Sequence, residues 1–412
     1  MSETLLVVQP SDDYARRVLN TVPDAVFVAD KQRAQELNHH PHVIAVDLAN
    51  AQETHQTVSE WARNHNIKFA GITTFICEAM SETAALAQAL NLPFHSDTLV
   101  QRTRDKHKSN MAWQREGVTT PTTQKIRDLN DLLDFATQTD APYILKPAEG
   151  SGSAWVLRVE NSDGLIDAHA RITAGIGHST YLAQQCVSGR EFSADLYVER
   201  GNVHILRLTE KYLLPCQGRA GLVGAYYPAN VTGSMRDTMH TTFLRGIMAL
   251  GVKSGIVMVD AIWMRSKLYL LEMALRPGGD CLPDLCMHAT GYDPIRIACE
   301  VALGKTPELP SINRPKPVAA LHLITDQNGL IEDINFDRLK QHPVVLHVDP
   351  YHLKGDELRS WAGSYDDSIL ASCIVQCVKS DDLPILVEML TKRIDLKLKP
   401  IAKRKEKVKK SA

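Results

Sequence analysis

No run of 18 apolar residues occurs in the 412-residue chain, which excludes a helix able to span a bilayer. The amino terminus runs through Thr4–Val8 into Gln9-Pro10-Ser11 without a basic region and a long apolar segment, so no secretory signal is expected. Eight cysteines (Cys77, Cys186, Cys216, Cys281, Cys286, Cys299, Cys373, Cys377) form no Cys-x-x-Cys pair and do not alternate with histidine at zinc spacing. That argues against a zinc knuckle and against a disulfide framework, and leaves reduced, mostly buried thiols in a cytoplasmic protein. The first turn, Gln9-Pro10-Ser11, lacks the Gly-x-Gly-x-x-Gly of a dinucleotide fold, so a nicotinamide site loses its main support. An excess of charge is missing too: 46 Lys and Arg against 48 Asp and Glu give a net −2, with no field to concentrate nucleic acid or anionic lipid. Only residues 397–410 stand out, with eight basic residues and one acidic, over a mildly acidic body. Such a tail reads as a solvated segment, and no nucleic-acid or membrane partner is expected.

What is present is a globular composition, 44% hydrophobic and 23% charged, in a chain long enough for two or three packed units. Up to about residue 100, short apolar runs (Leu5–Val8, Ala25–Ala29, Val43–Val46, Phe69–Ile72) alternate with amphipathic stretches such as Glu78–Leu90. This predicts a parallel βαβ sheet covered on both faces. A boundary follows near 103. Residues 140–275 carry strand-like runs at Tyr143–Lys146, Ala154–Val159, Tyr181–Gln184, Phe192–Val198, Val203–Leu208, Val257–Trp263 and Leu268–Met273. One helix interrupts them, Ser234 to Leu250, with Gly251 as its stop. From Pro315 to about Leu396, strands at Val318–Ile324, Val344–Val348 and Ile374–Val378 with a helix over Leu383–Lys392 predict a smaller closing unit. No internal repeat is found.

Three runs carry chemistry. In Lys146-Pro147-Ala148-Glu149-Gly150-Ser151-Gly152-Ser153 a lysine ends one strand and a Gly/Ser loop leads to the next. Glycine amides, serine hydroxyls and a lysine suit phosphate oxygens, yet no helix follows, so this is neither a P-loop nor a Rossmann turn. A tight hairpin turn alone explains such a loop equally well. The second run, Val257 to Ala274, reads as two apolar strands around Arg265-Ser266-Lys267. A hairpin centred on Ser266 sets Asp260 opposite Glu272, with Cβ atoms about 4.5–5.5 Å apart. Facing carboxylates in apolar strands are costly unless a cation bridges them, and hard oxygen ligands favour Mg²⁺. Third, Arg276 leads into Gly278-Gly279 ahead of a helix at Leu282–Ala289, a setting for an anion or an acyl phosphate.

In their joint order these motifs resemble the ATP-grasp superfamily, and within it the carboxylate–amine ligases that include L-amino-acid ligases and carbamoyl-phosphate-synthetase-like enzymes. The resemblance runs over nearly the whole chain, through Asp105-Lys106 before Gly117-Val118, the loop 146–153, Gly189-Arg190-Glu191, Asp260, Glu272 and Arg276. It implies an α/β and α+β architecture: an N-terminal βαβ (pre-ATP-grasp) domain over 1–103, an ATP-grasp domain over 104–312 with a mobile lid at about 140–190, a small C-terminal α+β closing subdomain over 313–396, and a basic tail over 397–412. ATP and Mg²⁺, or Mn²⁺, are the implied cofactors. The resemblance puts Lys106, Lys146 and the loop Gly150, Ser151, Gly152, Ser153 on phosphates. Gln184 and the backbone of Cys186 and Val187 would read adenine, Glu191 the ribose or base, and Asp260 with Glu272 would hold the metal. Arg276 is the implied catalytic group on the acyl phosphate, joined by Lys211 on the phosphate side.

The implied reaction is attack of a substrate carboxylate on the γ-phosphate, then displacement of phosphate by an amine to give an amide, with release of ADP. Both substrates are small molecules, amino acids or dipeptides by preference, and relatives commonly form dimers. Lids to exclude water are expected at 146–153 and at the Gly-rich stretch Gln217–Gly224. The sequence departs from the family at Ala274, where Asn is usual, and at Gln184-Gln185, where acidic residues are usual. Two alternatives therefore stand beside the amino-acid ligase: the same mechanism with another acid or nucleophile (bicarbonate, a purine-pathway amine, a thiol), or a non-catalytic ATP-binding module.

Overall fold

Four apolar segments open the chain as a parallel sheet, since runs that are apolar on both faces need helices above and below them. The strands Ser2–Val8, Val26–Asp30, Val43–Val46 and Ile67–Thr73 pair side by side in the order third, second, first, fourth. The structure, a computed structural model, describes residues 2–150, 152, 154–177, 180–216, 219–309, 311, 316–358 and 368–400. Ser151, Ser153 and Gln217-Gly218 lie outside the described residues, as does most of the basic tail.

After the helices Asp97–Arg104 and Lys106–Arg115 come three antiparallel sheets, the smallest formed by Glu357–Leu358, Gly329–Asn335 and Asp395–Lys399 in that order. Of the other two, the smaller has four strands in the order Thr123–Ile126, Tyr181–Gln185, Tyr143–Pro147, Leu157–Val159. Helices Leu129–Gln138 and Leu165–Ile176 close one core with it, burying Leu132, Phe135, Leu165 and Ile172 against Leu145, Leu157 and Tyr181. The larger sheet has eight strands, in the order Lys267–Ala274, Ser254–Met264, Arg190–Glu199, Asn202–Cys216, Arg219–Tyr227, Val318–Ile324, Ile369–Gln376, Val345–Pro350. The helix Gly233–Leu250 packs Phe243, Ile247 and Leu250 onto it, among Leu196, Val259 and Leu270. Gly251 stops this helix in the left-handed region at φ +85°, as its place in the sequence predicts. Among the described residues, no helix is long and apolar enough to cross a membrane. Seven described cysteines are free thiols, six of them buried and Cys186 half-buried.

The strands differ from the sequence expectation in several places. The Gly-rich stretch from Arg219 onward is not a loop: Arg219–Tyr227 is a strand paired with Asn202–Cys216, which itself runs eight residues past the expected Leu208. Ala154 and Trp155 belong to a turn, so the strand expected from Ala154 starts at Leu157. The strands of the expected closing unit also prolong the eight-stranded sheet, Tyr227 pairing with Val318 at the join. The basic segment begins in strand Asp395–Lys399, where Lys397 pairs with Asp333 and Lys399 with Leu330.

Candidate nucleotide and ligase site

The hairpin does bring Asp260 and Glu272 into register, by a route other than the one the sequence suggested. Arg265 and Ser266 both have positive φ (+47° and +62°) and form a two-residue turn of the primed type, so Met264 faces Lys267. That turn alone would set Asp260 against Leu271. An irregularity between Asp260 and Ala261 shifts the register by one residue and restores the carboxylate pair.

Lys106 is fixed by its helix start. The Asp105 carboxylate accepts from His107 N at 2.9 Å and Lys108 N at 3.1 Å, while Lys106 N donates to Ala148 O at 2.9 Å. Its ammonium donates to Gly150 O at 2.8 Å and lies 3.5 Å from a Glu272 oxygen. The Gly/Ser loop is thereby tied to the hairpin's second acid. Gly150 at φ +130° and Gly152 at φ +62° take conformations that L side chains rarely adopt, which answers why glycines stand there.

Lys146 ends strand Tyr143–Pro147 and is buried. It donates to Gln184 Oε1 at 2.9 Å, and Gln184 in turn donates to Thr123 Oγ1 at 2.8 Å. Burial, with the Lys106 charge beside it, pushes the Lys146 ammonium down to about 8. Lys211 lies between two carboxylates, 3.1 Å from Glu191 and 2.9 Å from Asp260. Burial acts against its charge too, but Asp260 and Glu191 outweigh it and hold the ammonium well above the ordinary lysine range.

The crossover from the small sheet to the large one is Cys186–Gly189, between Gln185 and Arg190. Cys186 N donates to Pro142 O at 3.1 Å, and Val187 is buried. A Cβ on Gly189 would lie 2.3 Å from Trp263 O, so only glycine lets this crossover rest on the hairpin. Arg276 leaves the hairpin's second strand and donates from Nε to Cys77 Sγ at 2.8 Å, a residue of the N-terminal unit. A small cavity is lined by Cys77, Arg104, Gly150, Glu272, Ala274 and Leu275, which puts the loop, an acid of the hairpin and the N-terminal unit around one space.

The structure thus gathers Lys106, Gly150, Glu272, Asp260, Lys211 and Glu191 into a chain of contacts, with Lys146 and Gln184 on the small-sheet side and Arg276 at the Cys77 end. Two groups were missed. Cys77 contacts Arg276, and nothing in its local sequence marks it. Asp195 and Arg207 form a fully buried ion pair at 2.7 Å beneath the Arg276–Gly279 turn. Its signal was legible: one charged residue inside each of two apolar strand runs, Phe-Ser-Ala-Asp-Leu-Tyr and His-Ile-Leu-Arg-Leu. Asp280, at φ +57°, is bonded by His322 and by the Tyr351 hydroxyl.

A family model described as an ATP-grasp domain matches residues 103–280. The chain is 26% identical over 178 residues to a D-alanine–D-alanine ligase of Neisseria meningitidis, a match spanning 42% of this chain and 58% of that enzyme. Its fold is similar to the crystal structure of L-amino acid ligase from Bacillus licheniformis, with a TM-score of 0.82 at 18% identity over 97% of this chain and 99% of the other. It is also similar to the biotin carboxylase domain dimer of Hydrogenobacter thermophilus 2-oxoglutarate carboxylase in complex with MgADP, at TM-score 0.71 and 15% identity over 96% and 91%. Residues 103–280 thus match an ATP-grasp domain, the chain spans a little over half the length of the D-alanine–D-alanine ligase it matches, and its fold is that of the L-amino acid ligase structure.

Proposed function

We propose that this chain is an ATP-dependent carboxylate–amine ligase that forms an amide through an acyl phosphate and releases ADP and phosphate. The observation that carries this reading is the contact chain from Lys106 through Glu272 and from Lys211 through Asp260 and Glu191, meeting in one cleft between two sheets. Residues 1–103, 104–312 and 313–396 would act as three units around that cleft, with the small sheet and its helices as the moving lobe, the lid expected at about 140–190. Residues 397–412 remain a basic tail outside the reaction.

Lys106, Lys146 and the Gly150–Ser153 loop would neutralise ATP phosphates, and the Cys186-Val187 crossover with Gln184 would receive adenine. Asp260 and Glu272 fit Mg²⁺ or Mn²⁺: both are hard oxygen donors, they face each other across the ladder, and lysine ammoniums now balance them. The metal would supply charge neutralisation on the phosphates. Ala274 offers no ligand atom, so this chain contributes two acids where many relatives also have Asn. Arg276 and the Gly278 and Gly279 turn would hold the acyl-phosphate oxygens, with Lys211 steadying Asp260 and Glu191 on the phosphate side. The amine then attacks the acyl carbon; the C–N bond forms as the C–O bond to phosphate breaks.

Amino acids or dipeptides are the substrates this reading favours, from the ligases to which the chain is similar. A cytoplasmic location and a homodimer belong to the same proposal. The test is incubation of the full chain with MgATP and pooled amino acids, with and without simple carboxylic acids, followed by separation of ADP, AMP and new amides by chromatography and mass. ADP formed only with a productive pool, matched by an amide mass, is the expected result. AMP, or ADP with no condensed product, would overturn amide formation; tight ATP binding without turnover in any pool would favour the non-catalytic module.

A further inference from the structure

Asp195 and Arg207 face each other on neighbouring strands, and both are completely buried. Asp195 Oδ2 accepts from Arg207 Nε at 2.7 Å. Arg207 is satisfied elsewhere too, donating to Thr209 Oγ1 at 2.5 Å, to Ser193 O at 3.3 Å and to Ser193 Oγ at 3.2 Å. A buried pair of this kind loses hydration on both sides, and apolar side chains of similar volume often serve stability as well. Stability alone therefore does not account for it. The remaining oxygen, Asp195 Oδ1, accepts from the backbone N–H of Gly278 at 2.7 Å. Gly278 lies two residues beyond Arg276, in the turn whose Pro277 carbonyl accepts from Arg276 Nη1 at 2.7 Å.

We propose that Asp195 and Arg207 are a positioning pair: the buried carboxylate, oriented by the guanidinium, grips the Gly278 amide and so fixes the turn that keeps Arg276 against Cys77 at the edge of the cavity. A charged acceptor binds an amide more strongly than a neutral one, and this one is held in a single orientation by its partner. The space around the turn is already full. A Cβ on Gly278 would lie 3.1 Å from Arg207 Nη2 and 3.0 Å from Leu282 Cδ1. The catalytic consequence rests on the ligase reading; the placement of Arg276 does not.

Two variants separate placement from simple scaffolding. The double exchange Asp195→Asn with Arg207→Gln removes both charges and leaves neither ion stranded. Gly278→Ala keeps both charges and pushes the turn away from Arg207 and Leu282. In each, iodoacetamide labelling of Cys77 is followed by peptide mass spectrometry without any substrate, with buried Cys373 as the monitor of global opening. The expected result is Cys77 labelling at least about fivefold faster with Cys373 unchanged, because Arg276 and its turn no longer close over the thiol. Once an amide-forming pool is found, kcat should fall while the KM for ATP stays within about twofold. Unchanged Cys77 labelling, or Cys77 and Cys373 accelerating together, would overturn the proposal and reduce the pair to a structural staple. A Cys77 response in a protein that makes no amide would instead keep the placement and reject the ligase.

Discussion

Two lysines at the cleft are both largely removed from water and respond in opposite directions. Lys146, on the small sheet, meets a neutral amide at Gln184 and a like charge at Lys106, and is pushed down to about 8. Lys211, on the large sheet, meets Glu191 and Asp260 and is held up. Burial alone therefore does not decide the charge; the partner does. Lys211 has its counter-ions within the fold and needs no ligand to stay charged. Lys146 is poised to gain its proton when an anion arrives, which suits the phosphate-facing role proposed for it.

The two lysines should differ most in what they contribute to stability. Lys211→Met leaves the Glu191 and Asp260 carboxylates without their shared cation and should cost about 3 kcal/mol in urea unfolding. Lys146→Met removes an unfavourably buried charge and should be neutral or stabilising at pH 7. Equal losses in the two variants would erase the distinction. Next in size, Glu272→Gln takes away a carboxylate that faces Asp260, lies 3.5 Å from the Lys106 ammonium and supports the charge on Lys146. Turnover with MgATP should drop by at least about 100-fold, roughly 2.7 kcal/mol in barrier terms. Near-normal turnover would remove the proposed metal acid. Arg276→Ala sits outside the lysine contrast and should lower kcat by about tenfold or more, near 1.4 kcal/mol, with ATP affinity within about twofold. A defect confined to ATP binding would move Arg276 to the nucleotide.

A smaller effect lies in pH. With a folded value near 8 and an unfolded value of 10.5 for Lys146, the unfolded chain binds more protons between those limits, so this group's contribution to stability grows as pH rises through that window. Lys211 has the opposite sign: its contribution is full below 10.5 and is lost as pH passes its raised folded value. Urea midpoints at pH 8 and 9.5 should therefore diverge less in Lys146→Met than in the parent chain.

Much of the site was visible in the sequence because its residues break local patterns. Asp260 and Glu272 are acids in apolar strands, and Lys146 precedes a loop that only glycine-rich sequence can form. The βαβ unit and the helix ending at Gly251 were equally legible, since period and cap lie within one segment. What was hidden depends on partners far apart in sequence. The eight-stranded sheet joins Tyr227 to Val318, a pairing no local run announces. The irregularity after Asp260 corrected a turn centre that the sequence misplaced, and the long hairpin Asn202–Tyr227 hid behind glycines that read as a loop. Cys77 meets Arg276 only because the N-terminal unit packs onto the hairpin's exit.

The central claim is that the Lys146 side of the cleft is completed by nucleotide phosphates while the Lys211 side is complete already. Titration calorimetry of MgATP into the full chain at pH 8.5, in two buffers of different ionisation heat, measures this directly. Binding should take up roughly half a proton or more in the parent chain, since Lys146 is mostly neutral before the phosphates arrive, and far less in Lys146→Met. MgATP binding with no difference in proton uptake between the two proteins would contradict the account.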